Sequence, residues 1–127
     1  MILVDSSVVI DYSRKEAKLL KLFLNLRLAV CGVVRAEVLT GSRSALERGK
    51  HIGILDSLTQ ISTPETIWDA VGDYAAALRA GGVTVPLPDV VIAALAIANG
   101  LELWTRDNHF KMIQLFLPAL KLFQEPP

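Results

Sequence analysis

Cysteine is nearly absent. Cys31 is the sole one in 127 residues, so no intrachain disulfide can form and no thiolate cluster is available to hold zinc. Net charge is absent too: thirteen Lys and Arg residues cancel thirteen Asp and Glu residues, and the chain has no overall positive field of the kind that draws in nucleic acid. Long apolar runs are missing. The longest, Val90 to Ala98, falls well short of the roughly 20 residues that cross a bilayer. The start MILVDSSVVI is interrupted by Asp5 and lacks the basic head of a secretory signal. The expectation is a cytoplasmic protein with no membrane association. Repeats, low-complexity tracts and Ser/Gly linkers are also lacking. A hydrophobic share of 52% against 20% charged fits a chain that folds around one core, so residues 1–127 are expected to form a single domain. Only Gln124 to Pro127 reads as a frayed end.

What is present alternates between strand and helix. Ile2 to Val4 and Leu28 to Cys31 are β-prone, Ile61 ends a short third strand, Leu101 to Thr105 supplies a fourth, and Leu120 to Phe123 reads as an edge strand. Helical patterns run from about Ser7 to Tyr12, Lys15 to Leu26, Gly32 to Thr40, Ser44 to Leu58, Pro88 to Asn99 and Asp107 to Leu117. Thr63, Pro64 and Glu65 offer an N-cap hydroxyl, a proline at the first helical position and an acid at the positive end of the dipole, so another helix is expected from there to Ala80. Strands joined by helices imply βαβ units. The fold class expected is three-layer α/β/α around a parallel sheet of four or five strands.

In such sheets ligands bind beyond the carboxyl ends of the strands. Asp5 directly follows the first strand and Asp107 follows the fourth by two residues, which puts both carboxylates on one sheet edge. Glu37 lies at helical spacing from Val34 and before Gly41, toward a packed face, and a charge there needs a partner. Asp89 heads the stripe Ile92, Ala93, Ala96 at the start of a largely apolar helix. Each acid alone has an ordinary explanation: a turn residue at Asp5, an ion pair between Glu37 and Arg35, helix caps at Asp89 and Asp107. Together they would raise one another's pKa unless a cation neutralised them. Oxygen donors favour Mg²⁺ or Mn²⁺; zinc would prefer His or Cys, and only His51 and His109 are available. The chemistry implied is metal-assisted phosphodiester hydrolysis. A phosphate-transfer domain with Asp5 as nucleophile is disfavoured, because no Asp-x-Asp, paired early acids or glycine-rich nucleotide loop is present. Asp69 and Asp73, one helical turn apart, read as a solvated face, and Asp11, Glu16 and Glu125 as surface or capping groups.

The segments ILVDSSVVI, VVRAEVLTG, PLPDVVIAALAIANGLELWTRD and DNHF resemble the successive motifs of PIN domains, and in size and spacing the chain is similar to VapC-type ribonuclease toxins. The resemblance implies that Asp5, Glu37, Asp89 and Asp107 coordinate Mg²⁺ and the attacking water, with Thr105 orienting a ligand or water and Asn108 able to share the role of Asp107. It further implies an RNA substrate, a VapB-type antitoxin that blocks the site, and a homodimer. Phe110 is expected in the core and His109 in a packing or hydrogen-bonding role. The alternative is a PIN module that binds RNA or protein without catalysis; the presence of all four acids argues against it.

Overall fold

The computed structural model describes residues 1–127. Its elements in chain order are β1 (Ile2–Val4), α1 (Ser6–Ser13), α2 (Ala17–Asn25), β2 (Leu28–Cys31), α3 (Gly32–Thr40), α4 (Ala45–Asp56), β3 (Thr59–Ile61), α5 (Ile67–Ala80), α6 (Leu87–Ala98), β4 (Glu102–Trp104), α7 (His109–Phe116) and β5 (Lys121–Leu122). The five strands form one sheet in the order β3-β2-β1-β4-β5, and every pairing is parallel. Every residue of β1 and β2 is buried, as a parallel sheet covered on both faces requires. The edge strands carry the polar residues, Thr59 and Gln60 on one side and Lys121 on the other, which blunts them against further pairing. Helices α1, α3 and α4 pack on one another, as do α5, α6 and α7, and α3 meets α6. The architecture is three-layered α/β/α.

The strand order positions the site. The chain builds outward from β1 to β2 and β3, then returns to the other side of β1 with β4. Order therefore reverses between β1 and β4, and a crevice opens at such a reversal beyond the strand ends. Asp5 and the segment Thr105 to Asp107 leave the sheet there.

One cluster of 30 buried apolar residues fills the interior. Helix α6 is its densest part, with Val90 through Ala96 all buried. Trp104, fully buried, lies between Phe23 and Phe123 at centroid distances of 5.7 and 5.1 Å, and Tyr12 stacks on Phe23 at 3.8 Å. Gly81 closes α5 against the Phe116 ring: a Cβ there would lie 2.1 Å from it, so the ring would have to move.

Three helix starts differ from expectation by two residues or more. Helix α2 begins at Ala17 and not Lys15, whose φ of 60° lies in the left-handed region. Helix α5 begins at Ile67, not at Thr63, because a turn from Pro64 to Ile67, closed by the Ile67 N–H donating to the Pro64 carbonyl at 3.0 Å, precedes it. Helix α7 begins at His109, because the Asp107 N–H donates to Thr105 Oγ and the Asp107 carboxylate accepts the His109 N–H, each at 2.9 Å. Those bonds fold Asp107 and Asn108 into a turn.

Candidate metal centre

Asp5 is the anchor. It is 3% exposed and serves as N-cap of α1, a role beyond that of a simple turn residue. Its Oδ1 accepts from Ser7 Oγ at 2.6 Å and from the Val8 N–H at 3.2 Å, and its Oδ2 accepts from Thr105 Oγ. Ser7 Oγ in turn accepts the Arg106 N–H at 3.0 Å. Two hydroxyls, one following β1 and one following β4, thus stitch the strand ends around a single carboxylate. Burial pushes the Asp5 carboxyl above its ordinary value, the bonds from Ser7, Thr105 and Val8 oppose that rise, and the charge of Asp107 adds to it.

Glu37 comes from the middle of α3, where Val34 and Val38 are buried. It is half-buried and makes no ion pair; Arg35, its sequence-based candidate partner, pairs with Asp56 at 2.7 Å instead. Burial raises the Glu37 carboxyl, and the charges of Asp89, Asp5 and Asp107 raise it further. Asp89 sits in the first turn of α6 without capping it: the N-cap is Pro86, with no side-chain bond. Its carboxyl is raised by burial and by Asp107, with His109 pulling the other way. The acids come from the end of β1, α3, α6 and the β4–α7 turn; Glu37 feels the charges of the other three, Asp107 acts on both Asp5 and Asp89, and Asp5 is joined to the Asp107 backbone through the Thr105 hydroxyl.

His109, expected in a packing or hydrogen-bonding role, lies against two of the acids: its ring is 54% exposed, and Nδ1 lies 3.6 Å from Asp89 Oδ2 and 3.5 Å from Asp107 Oδ1. Ligand atoms of Asp89, Asp107 and His109 all lie within 4.8 Å of one another, a candidate ligand role that the sequence reading did not assign to this residue. No Lys or Arg forms an ion pair with any of the four carboxylates. Several carboxylate oxygens and one imidazole nitrogen, crowded without a cation of the protein's own, are a donor set suited to a divalent ion. Phe110 is buried, as expected.

Arg106, between Thr105 and Asp107, points away from this group. Its guanidinium bonds Asp11, Glu16 and Glu125 at 2.7–3.1 Å, and Glu125 also accepts from Trp104 Nε1 at 2.9 Å. Asp11, Glu16 and Glu125, read from sequence as surface or capping groups, lie at the surface and there also form a clamp on the turn that carries Asp107. Their distance along the chain from Arg106 hid it.

A family model for the PIN domain matches residues 2–114. The chain is 30% identical over 125 residues to a VapC ribonuclease of Mycobacterium bovis, covering 89% of this chain and 91% of that one. Among solved structures, DNA-bound VapBC from Salmonella typhimurium superposes with a TM-score of 0.79 at 20% identity, covering 96% of each chain. VapBC2 from Rickettsia felis, bound to a promoter DNA fragment, gives 0.78 at 22% identity over 97% and 98%. From the extent of the family match and of the alignment with the mycobacterial relative, the chain belongs to the PIN-domain family, in its VapC group.

Proposed function

We propose that this chain, folded as one domain, is a metal-dependent endoribonuclease that hydrolyses phosphodiester bonds in RNA, the toxin of a VapBC-type pair held in check by a VapB-type antitoxin. The observation that carries the reading is geometric: at the strand reversal Asp89, Asp107 and His109 hold ligand atoms within 4.8 Å of one another, Asp5 is joined to the Asp107 backbone through the Thr105 hydroxyl, and no Lys or Arg pairs with these acids or with Glu37. Asp5, Glu37, Asp89 and Asp107 are assigned as the ligand and catalytic set, with Mg²⁺ as the ion and Mn²⁺ as a substitute. When bound, the ion supplies charge neutralisation, polarisation of the phosphodiester and activation of a water. Asp5 is fixed in one rotamer by the bonds from Ser7, Val8 and Thr105. Glu37, with no hydrogen-bond partner of its own, is placed to take a proton from the attacking water. Asp89 and Asp107 set the other side of the site, with the imidazole of His109 between them.

No helix is long and apolar enough to cross a membrane, and the cytoplasm, where RNA and antitoxin are made together, is the proposed location. The exposed Met112, Leu115 and Phe116 of α7 fit a homodimer contact; sedimentation of the isolated chain as a monomer at micromolar concentration would remove it.

The test of the nuclease is cleavage of a total RNA pool by purified protein in Mg²⁺ or Mn²⁺ against EDTA, beside Asp5→Asn. Discrete metal-dependent fragments missing from the variant support it. A parent that cuts nothing in either metal, or a variant that cuts equally well, leaves a non-catalytic binding module as the better account.

A further inference from the structure

At the C-terminal end of α1 lies a second pocket, of 410 Å³, lined by Ser13, Arg14, Gly41, Arg43, Lys50 and His51, with Ile10 and Glu47 completing it. Arg14, Arg43 and Lys50 are exposed, and none of them makes an ion pair. The one acid on the rim is engaged in a helix start: the Glu47 carboxylate accepts the Arg43 N–H at 3.1 Å, and its N–H donates to Ser44 Oγ at 3.1 Å. His51, 4% exposed, is held between Ser42 Oγ at 2.7 Å and Ser13 Oγ at 3.3 Å. Those bonds fix α4 against the ends of α1 and α3. The three cations thus stand on a rigid frame.

The pocket's distance from the acids is set by two helices. Gly41 follows Glu37 by four residues of α3, about 6 Å of rise, and Ser13 follows Asp5 by eight residues along α1, about 12 Å. We propose that this pocket binds a backbone phosphate of the RNA flanking the scissile one, with Arg14, Arg43 and Lys50 as its charged groups. Such a site presupposes the nuclease reading. An RNA strand lying across four carboxylates needs compensating charge nearby, and a chain with zero net charge offers no general field to supply it. Three unpaired cations beside the acids do so locally.

The experiment measures RNA binding and cleavage by the full chain in Mg²⁺ at several salt concentrations, for the parent, for Arg43→Gln/Lys50→Gln, and for a control pair, Arg79→Gln/Lys121→Gln, that removes the same charge elsewhere. For single-stranded RNA, each phosphate no longer neutralised by the protein lowers the slope of log affinity against log salt by about 0.7. The pocket pair is expected to lower it by about 0.7, the contribution of one phosphate, and to raise KM more than it lowers kcat, with Arg43→Lys/Lys50→Arg restoring the parental values. A pocket pair indistinguishable from a parent that cuts overturns this proposal alone. Weakened capture of the antitoxin with unchanged RNA binding overturns it in favour of an acidic protein segment. A parent that neither binds nor cuts RNA sinks the nuclease reading, and the phosphate site with it.

Discussion

Two groups of carboxylates meet at the β4–α7 turn, and they have opposite electrostatics. Thr105 and Asp107 face Asp5, Glu37 and Asp89, where no Lys or Arg pairs with the acids; Arg106, between them, faces Asp11, Glu16 and Glu125. In the second group the guanidinium holds Glu125 down to about 2 and lowers Glu16. In the first, burial and like charge push Asp5, Glu37 and Asp89 up. A carboxylate cluster with its own cation is a fastening. One without is unstable by itself and suited to an ion from solution.

The largest expected effect comes from breaking the first group. Asp5→Asn or Asp89→Asn should reduce cleavage by roughly a hundredfold or more, since loss of even an indirect metal partner costs about ten- to a hundredfold. Asn caps a helix as well as Asp, so Asp5→Asn should keep its stability to within about 1 kcal/mol, whereas Asp5→Ala also loses the cap, at about 1 kcal/mol or more. Urea unfolding beside a cleavage assay separates the two; unfolding of both Asn variants would make these acids structural.

Breaking the second group should act on stability first. Arg106→Gln removes the charged hydrogen bonds to Asp11 and Glu125 and leaves Lys18, 3.3 Å from Glu125, as the one cation near these acids; discounted for their solvent exposure, the loss should be about 1 kcal/mol, read as a lower urea midpoint. The turn bearing Asp107 loosens with it, so activity should fall partially and recover in part with rising Mg²⁺. Activity untouched by a stable Arg106→Gln would uncouple the clamp from the site.

The two groups also give pH profiles of opposite sign. Glu125 is depressed in the folded state, so the stability it contributes is complete above its ordinary value of 4.5 and is lost as pH falls toward about 2. Asp5, Glu37 and Asp89 are raised, so without metal stability declines as pH climbs from their ordinary 3.8 and 4.5 through the raised values. Arg106→Gln should flatten the rising limb and Asp89→Asn the falling one. Mg²⁺ should reverse the falling limb, because the ion binds the deprotonated carboxylates. A falling limb unchanged by both Asp89→Asn and Mg²⁺ would separate it from the metal site.

The layers and the parallel sheet were legible in sequence because they follow from local pattern, while the four acids were singled out by strand ends, helical spacing and the family resemblance together. The runs Ile2–Val4 and Leu28–Cys31 are continuous and apolar, and Asp5 sits at a strand end where the period breaks. What was hidden depends on distant partners. Arg106 meets Asp11 and Glu16 only because β4 pairs with β1, and the N-cap of α1 at Asp5 was obscured by the more conspicuous possibility of a ligand. The start of α5 was misplaced because Thr63-Pro64-Glu65 satisfies a helix-start pattern that a turn can satisfy equally well. Glu37, expected from helical spacing on a packed face with a partner, is half-buried and has none; its freedom from Arg35 depends on Asp56, 21 residues beyond that arginine.

His109 tests how far the acidic group relies on a nitrogen donor. Its ring is half exposed and caps nothing, so His109→Ala should leave stability within about 0.5 kcal/mol. If the imidazole is a ligand, Mn²⁺ affinity should drop more than Mg²⁺ affinity, because nitrogen donors favour the transition metal over the hard oxygen-seeking ion. Titration calorimetry with each metal reads that ratio directly. An equal drop for both would make His109 a charge-balancing neighbour of Asp89 and Asp107, which its lowering of the Asp89 carboxyl already makes it in the absence of metal. No drop for either would confine the site to the four carboxylates.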